Sequence, residues 1–216
     1  ILGNGNYTST GGVFFSSGAN DITLDGVTII ANGYKKTAHG AMMNAGANGA
    51  IQIINSYLEI RDDGKALGRG GMFYIAYAIP VTLTNSTFVG GYAGNPVLNT
   101  DGTVKTASYG GQFAIVAGAT MNITDCTFEG GKTDTLGGQF YIGSSSAQIA
   151  FDGCTFKNGT AASQGGLFYI ASGIKNLTFT DCQFILGIVT ILSKPHTIKR
   201  INSVIITLYI LLFFFI

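Results

Sequence analysis

The chain of 216 residues contains no tryptophan, three prolines, three cysteines and few charged residues. Charged side chains make up 11% of the sequence and leave a formal net charge of +1, which gives no electrostatic reason to expect nucleic acid as a partner. The hydrophobic share of 46% excludes an intrinsically disordered chain. The 32 glycines lack the every-third spacing of collagen. Helical spacing of apolar residues is also missing from residues 11–184.

What the sequence does contain is an internal repeat. A Gly-Gly pair followed by x-Phe recurs five times, and His39-Gly40 is interpreted as a degenerate sixth copy. The five pairs are Gly11-Gly12, Gly70-Gly71, Gly110-Gly111, Gly137-Gly138 and Gly165-Gly166. Cys126, Cys154 and Cys182 follow each other at intervals of 28 residues, which is the usual spacing of the glycine pairs.

Apolar residues alternate with other residues in every copy, and this period of two is typical of β-strands. Each copy therefore predicts three short strands with one buried face. The first strand is expected to stack Phe14, Met42, Phe73, Phe113, Phe140 and Phe168, and two residues later Ser16, Asn44, Ile75, Ile115, Ile142 and Ile170. The third strand is expected to stack Ile29, Leu58, Phe88, Phe128, Phe156 and Phe184.

The residues between the strands predict sharp corners. One column, directly before the third strand, holds only residue types that tolerate the left-handed conformation: Gly26, Asn55, Asn85, Asp125, Gly153 and Asp181. Three strands and register-keeping corners in a unit of about 28 residues predict a parallel β-helix with six rungs. The extra residues of two longer copies, Glu59–Arg69 and Val89–Tyr109, are expected to form widened loops on one side.

The unit GGQFYIGSSSAQIAFDGCTFKNGTAASQ at residues 137–164, followed by GGLFYI, resembles a known repeat class. It is similar to the repeats of polymorphic outer membrane proteins, which pair a GG-[AL]-[IF] motif with F-x-x-N on a right-handed, pectin-lyase-like β-helix. The resemblance implies an all-β fold, a right-handed parallel β-helix over residues 1–184. It also implies a secreted or cell-surface location and an adhesive or structural role, and it transfers no catalytic residue.

One segment clusters ionisable groups. Asp62, Asp63 and Arg69 are the least implausible participants if the chain is instead a carbohydrate-active β-helix enzyme of the polysaccharide lyase or glycoside hydrolase kind. Adjacent aspartates cannot easily flank one glycosidic bond at the separation that such pairs need. A solvated loop around residues 61–65 is the preferred interpretation, and the preferred function is non-catalytic.

No cofactor or metal is expected. The cysteine column alternates with Val27, Ser56 and Ser86, which favours packing over a disulfide or a zinc site. The Asn/Asp corner column could form a calcium ladder, but its glycine members offer no side-chain oxygen, so turn chemistry is preferred. His39 is interpreted as a variant first residue of a glycine corner.

Five Asn-x-Ser/Thr sequons are candidate N-glycosylation sites in a secreted protein: Asn6, Asn85, Asn122, Asn158 and Asn176. The expected partners are a glycan or a surface protein, contacted through a lateral face or the corner loops. Neighbouring rungs or chains could also pair with the open ends of the solenoid.

The repeat pattern ends after Phe184, and residues 185–216 form a separate hydrophobic tail. Three interpretations stay open: a short membrane anchor, a cap on the last rung, or an artefact or truncation of a longer solenoid. Ile201–Ile216 is expected to lie outside the solenoid core, as a membrane-seeking or helical appendage.

Overall fold

The computed structural model describes residues 2–3, 13–16, 18, 20–32, 37–45, 49–94, 97–98, 100, 104–171, 174–186 and 201–208. Every regular element in these ranges is a β-strand. In chain order the strands are β1 (Leu2–Gly3), β2 (Phe14–Phe15), β3 (Ile22–Asp25), β4 (Thr28–Asn32), β5 (Thr37–His39), β6 (Met43–Ala45), β7 (Ile51–Ile54), β8 (Tyr57–Arg69), β9 (Phe73–Ile75), β10 (Pro80–Thr84), β11 (Thr87–Gly94) and β12 (Val97–Leu98). They continue with β13 (Val104–Thr106), β14 (Phe113–Ile115), β15 (Thr120–Thr124), β16 (Thr127–Glu129), β17 (Lys132–Thr133), β18 (Phe140–Ile142), β19 (Gln148–Asp152), β20 (Thr155–Lys157), β21 (Thr160–Ala161), β22 (Phe168–Ile170), β23 (Asn176–Leu186) and β24 (Ile201–Leu208).

The strands stack in three parallel columns, which we name by their order within a rung. The first sheet is β2-β6-β9-β14-β18-β22. The second sheet is β3-β7-β10-β15-β19-β23, and the third is β4-β8-β11-β16-β20-β23, the long strand β23 serving both. The chain makes about five complete turns, so the predicted parallel β-solenoid is confirmed.

Aromatic ladders fill the space between the three sheets. In the first sheet, Phe113 lies between Phe73 and Phe140, with ring centroids 4.6 and 4.9 Å apart and planes within 9° of parallel. A second ladder in the third sheet stacks Phe88 on Phe128 at 5.1 Å. Rings of the two ladders meet edge to face, which is the arrangement that aromatic quadrupoles favour in a packed core.

The corner before the third strand has the predicted conformation in all six rungs. Its residues have φ between 45° and 63°, a region where side chains other than Gly, Asn and Asp are strained: Gly26, Asn55, Asn85, Asp125, Gly153 and Asp181. This bend separates the second from the third sheet without breaking the stacking register.

The second glycine of three described pairs, Gly71, Gly111 and Gly138, allows neighbouring rungs to approach closely. A Cβ added at Gly138 would lie 1.9 Å from the carbonyl oxygen of Gly166, and one at Gly111 would lie 2.0 Å from that of Gly138. No side chain fits at these distances, so the backbone of the corner is in direct contact with the next rung.

The prediction for the first strand of the second rung is wrong by one residue. Met43, rather than Met42, pairs with the phenylalanines of both neighbouring rungs, and Ala45 replaces Asn44 in the following column. Both methionines are fully buried, so their apolar character alone could not distinguish the two registers.

His39 does not replace the first glycine of a corner, as the sequence had suggested. Gly40 takes that role, because it has φ 55° and a Cβ there would strike the carbonyl three residues on, as at Gly70. Ala41 occupies the position of the second glycine. His39 instead pairs with Arg69 in the next rung.

The two longer rungs accommodate their extra residues differently. Tyr57–Arg69 is one continuous strand. The prediction of a loop at residues 61–65 is therefore wrong, because the backbone there is extended. The register between β8 and β11 shifts between Gly90 and Tyr92. The extra residues of β8 form a bulge at this point. In the next rung, β12 and β13 form an antiparallel pair, a small hairpin outside the stack.

The tail contributes a strand to the solenoid. Ile201–Leu208 pairs in parallel with β23, from Phe179 opposite Ile201 to Leu186 opposite Leu208. The helical alternative for Ile201–Ile216 is therefore wrong over residues 201–208, and this pairing is what a cap on the last rung requires. Residues 187–200 and 209–216 lie outside the described residues.

Candidate binding face

The predicted catalytic candidates do not form one described cluster. Asp62 and Asp63 lie in the bulge of β8, opposite Gly91 of β11, and their side chains are outside the described residues. Arg69 is the last residue of the same strand, where its guanidinium contacts Tyr74 and Tyr109. Arg69 therefore belongs to a group of aromatic residues that the sequence analysis did not identify.

That group covers the outer side of the first sheet and the column just before it. The middle residue of each Phe-x-Ile strand points outward, because successive side chains alternate between the two faces of a sheet. A second column, five residues earlier in each rung, runs in register alongside it. We call Arg69 and the aromatic residues of these two columns the aromatic face: His39, Arg69, Tyr74, Tyr109, Tyr141 and Tyr169.

The rings of the aromatic face stack along the solenoid axis. Tyr141 lies 4.3 Å from Tyr109 and 5.5 Å from Tyr169 between ring centroids, with planes within 22° of parallel. The ring centroid of His39 lies 4.6 Å from that of Tyr74, with the two planes tilted by 31°. The stacked residues are half-buried, and Tyr141 has a tyrosine ring on each of its two faces, so its ring edge and hydroxyl group face solvent.

Arg69 is the centre of this face. Its Cζ lies 5.3 Å from the ring centroid of Tyr109, within the range of a cation–π contact, and its Nη1 donates a hydrogen bond of 3.3 Å to the hydroxyl of Tyr74. Among the residues that the structure describes, no carboxylate lies within salt-bridge distance of Arg69. Burial, followed by the charge of Arg69, lowers the pKa of His39, and His39 Nδ1 has no hydrogen-bond partner in the structure.

The outer side of the third sheet carries carboxylates instead. Glu59 and Glu129 occupy one column on either side of Val89, two strand spacings or about 9.6 Å apart. An inverting glycosidase needs two carboxyl groups about 6.5–9.5 Å apart, so this pair is the described feature to weigh against the enzyme alternative.

Both carboxylates of the third sheet are paired with cations. Glu59 accepts a hydrogen bond of 2.9 Å from Arg61 Nε, and Glu129 lies 2.9 Å from Lys157 Nζ. The hydrogen bond from Arg61 lowers the pKa of Glu59. A glycosidase acid needs a raised pKa so that it carries a proton, and Glu59 is shifted in the opposite direction.

The cysteine column is buried in the core, as its packing interpretation required. Cys126, Cys154 and Cys182 are at most 1% exposed and free. Burial raises the pKa of Cys126 to about 11, and a hydrogen bond with Cys182 together with burial raises that of Cys154. The thiols of Cys126 and Cys154 are therefore protonated at neutral pH, which makes them poor nucleophiles.

The Asn/Asp corner column forms side-chain hydrogen bonds between neighbouring rungs, including one to Asp25, the residue before Gly26. Asn85 Nδ2 donates to Asn55 Oδ1 at 2.9 Å, and Asn55 Nδ2 donates to Asp25 Oδ1 at 3.1 Å. The side-chain oxygens of Asp25 and Asn55 that calcium would need therefore already accept amide protons. Within the described ranges, no group of three or more His, Cys, Asp or Glu side chains could hold a metal ion.

Four of the five sequon asparagines can be placed. Asn85, Asn122, Asn158 and Asn176 are exposed, whereas Asn6 lies outside the described residues. Their modification stays a prediction. In the described part of the chain, no helix has the length and apolar character to cross a membrane.

No protein-family profile matches the chain, and neither a curated protein nor a solved structure is significantly similar to it. The fold and the aromatic face therefore rest on the residues of this chain. The signal for Tyr74, Tyr141 and Tyr169 was present in the thrice-repeated Phe-Tyr-Ile, because the residue between two inward side chains must point outward. Tyr109 had no such signal, since it lies in the longest insertion.

Proposed function

We propose that this protein is a non-catalytic solenoid of the cell surface or extracellular space, with a structural or adhesive role, which binds a partner through its aromatic face. The observation that carries the proposal is the arrangement of Arg69, Tyr109 and Tyr141 on a rigid stack of parallel strands. Tyr and Arg are enriched where proteins bind partners, because both present large contact area together with hydrogen-bonding groups.

The proposed location rests on the sequence. The repeat resembles those of polymorphic outer membrane proteins on pectin-lyase-like β-helices, and exposed sequons such as Asn122 and Asn158 suit a secreted glycoprotein. Membrane attachment through Ile201–Ile216 belongs to the same proposal, although the strand pairing of residues 201–208 favours a capping role for that part.

The test is to immobilise the purified full chain on beads and to measure adhesion to cell-surface extracts and to panels of glycans and surface proteins. Tyr141→Ala changes the aromatic face, and Lys157→Gln is the matched control on the third sheet. We expect the first variant to lose adhesion and the second to keep it. Turnover of pectin or alginate by the wild-type protein, with adhesion equal in both variants, would contradict the proposal and favour the enzyme.

A further inference from the structure

The aromatic face offers its ring edges rather than its ring faces to a partner. Tyr141 lies between Tyr109 and Tyr169, and Tyr109 lies between Arg69 and Tyr141, so these two rings are covered on both sides. A sugar ring packs its C–H groups against an open aromatic face, which carries the negative side of the quadrupole. The stacking along the solenoid axis removes that option over the centre of the face.

What the face does offer, as far as the described side chains go, is a cation without a paired carboxylate among hydroxyl groups. The guanidinium of Arg69 has five N–H donors, and its hydrogen bond with a described residue uses one of them, for the hydroxyl of Tyr74. A half-buried guanidinium that uses one of its N–H groups for Tyr74 keeps donors for a carboxylate, which a guanidinium can bind through two parallel hydrogen bonds. His39 and Tyr109 flank this position in the two neighbouring rungs.

We propose that the aromatic face binds an acidic protein segment, with an aspartate or glutamate carboxylate of the partner on the guanidinium of Arg69. The inference rests on the proposed function and names the class of partner for the same face. The tyrosine hydroxyls next to Arg69 would hydrogen-bond the partner's backbone and polar side chains. A partly desolvated charge pair at the centre of an aromatic patch matches the composition of binding hot spots in protein interfaces.

The experiment uses the full chain and a fluorescein-labelled peptide of alternating Glu and Gly, about twelve residues long, with binding measured by fluorescence anisotropy. The same peptide with Gln in place of Glu controls for the carboxylates, and an oligogalacturonate of equal charge represents an acidic glycan. Arg69→Gln removes the guanidinium. Arg61→Gln is the matched control, because Arg61 is paired with Glu59 on the third sheet. Thermal unfolding checks that each variant folds, and Tyr74→Phe provides a second, milder change.

We expect the wild-type protein and Arg61→Gln to bind the Glu peptide about tenfold more tightly than the Gln peptide, as one charge-assisted pair allows. Arg69→Gln should abolish this preference, and Tyr74→Phe should weaken it. Equal binding of the Glu peptide by wild type and Arg69→Gln, or no preference for Glu in the wild type, overturns the inference.

Tighter binding of the oligogalacturonate, lost in Arg69→Gln, overturns it in favour of an acidic glycan. If the peptide preference is absent while beads still adhere through Tyr141, the proposed function survives and only the partner class is wrong. If adhesion is also independent of Tyr141, the proposed function fails as well.

Discussion

The two sides of the first sheet carry aromatic ladders that have similar ring spacing but differ in burial. On the inner side, Phe113 and Phe140 stack at 4.9 Å and are at most 1% exposed. On the outer side, Tyr141 and Tyr169 stack at 5.5 Å and remain half-buried. One strand register builds both ladders, but only the inner one excludes water on every side. The inner ladder therefore stabilises the solenoid, and the outer ladder is the one for which we propose a binding role.

The largest effect should come from breaking the inner ladder. Phe140→Ala removes a ring that stacks on Phe113 and Phe168 and meets Phe128 and Phe156 edge to face. We expect the free energy of unfolding to fall by about 3–5 kcal/mol, because the ring is fully buried and leaves a cavity. Denaturant titration followed by circular dichroism measures the loss. A loss below about 1 kcal/mol would show that the rungs collapse around the gap.

A smaller loss is expected from separating two rungs, which disturbs both ladders at once. Gly138→Ala places a Cβ 1.9 Å from the carbonyl oxygen of Gly166, and overpacking of this kind costs about 1–3 kcal/mol. Gly26→Ala is the matched control, because it has a positive φ but nothing within 4 Å of the added Cβ. If the control loses more stability than Gly138→Ala in the same denaturant titration, the corners need glycine because of backbone strain and not because of the close approach of neighbouring rungs.

The outer ladder should contribute less to stability than the inner one. Tyr141→Ala removes two stacking contacts that are half-exposed, and we expect a loss of about 0.5–1.5 kcal/mol. Tyr77→Ala is the control, since Tyr77 is 47% exposed and outside both ladders. Thermal unfolding of the two variants side by side makes the measurement. A loss at Tyr141 as large as at Phe140 would erase the distinction between the two sides.

The smallest effect concerns pH. The pKa of His39 is lower in the folded chain than its ordinary value of 6.5, so below about pH 6.5 the unfolded chain binds a proton that the folded chain resists. The contribution of neutral His39 to the free energy of unfolding should therefore be fully present above pH 6.5 and should decline as the pH falls below it. Melting temperatures at pH 7.5 and 5.0 should differ more in the wild type than in His39→Gln. An equal difference in both proteins would mean that His39 is not the group responsible.

Much of the solenoid could be predicted because its constraints act on single residues. The left-handed corner tolerates few residue types, so the corner column that begins at Gly26 and ends at Asp181 could be recognised in all six rungs. The second rung was misaligned because Met42 and Met43 are both apolar, and a shift of one residue is invisible when neighbouring side chains are equally buried. The tail strand Ile201–Leu208 was missed because it lacks the corner residues that mark other rungs.

The sequence by itself determined the class of fold, the parallel stacking and the inward phenylalanines, because a repeat with period-two burial and fixed corners has few ways to fold. Only the tertiary structure decided which outward side chains meet. Arg69, Tyr109 and Tyr141 lie in different rungs, and Tyr74 lies five residues beyond Arg69. Their contacts depend on how far each corner displaces the chain along the axis, a quantity set by backbone packing between rungs and not by any local pattern.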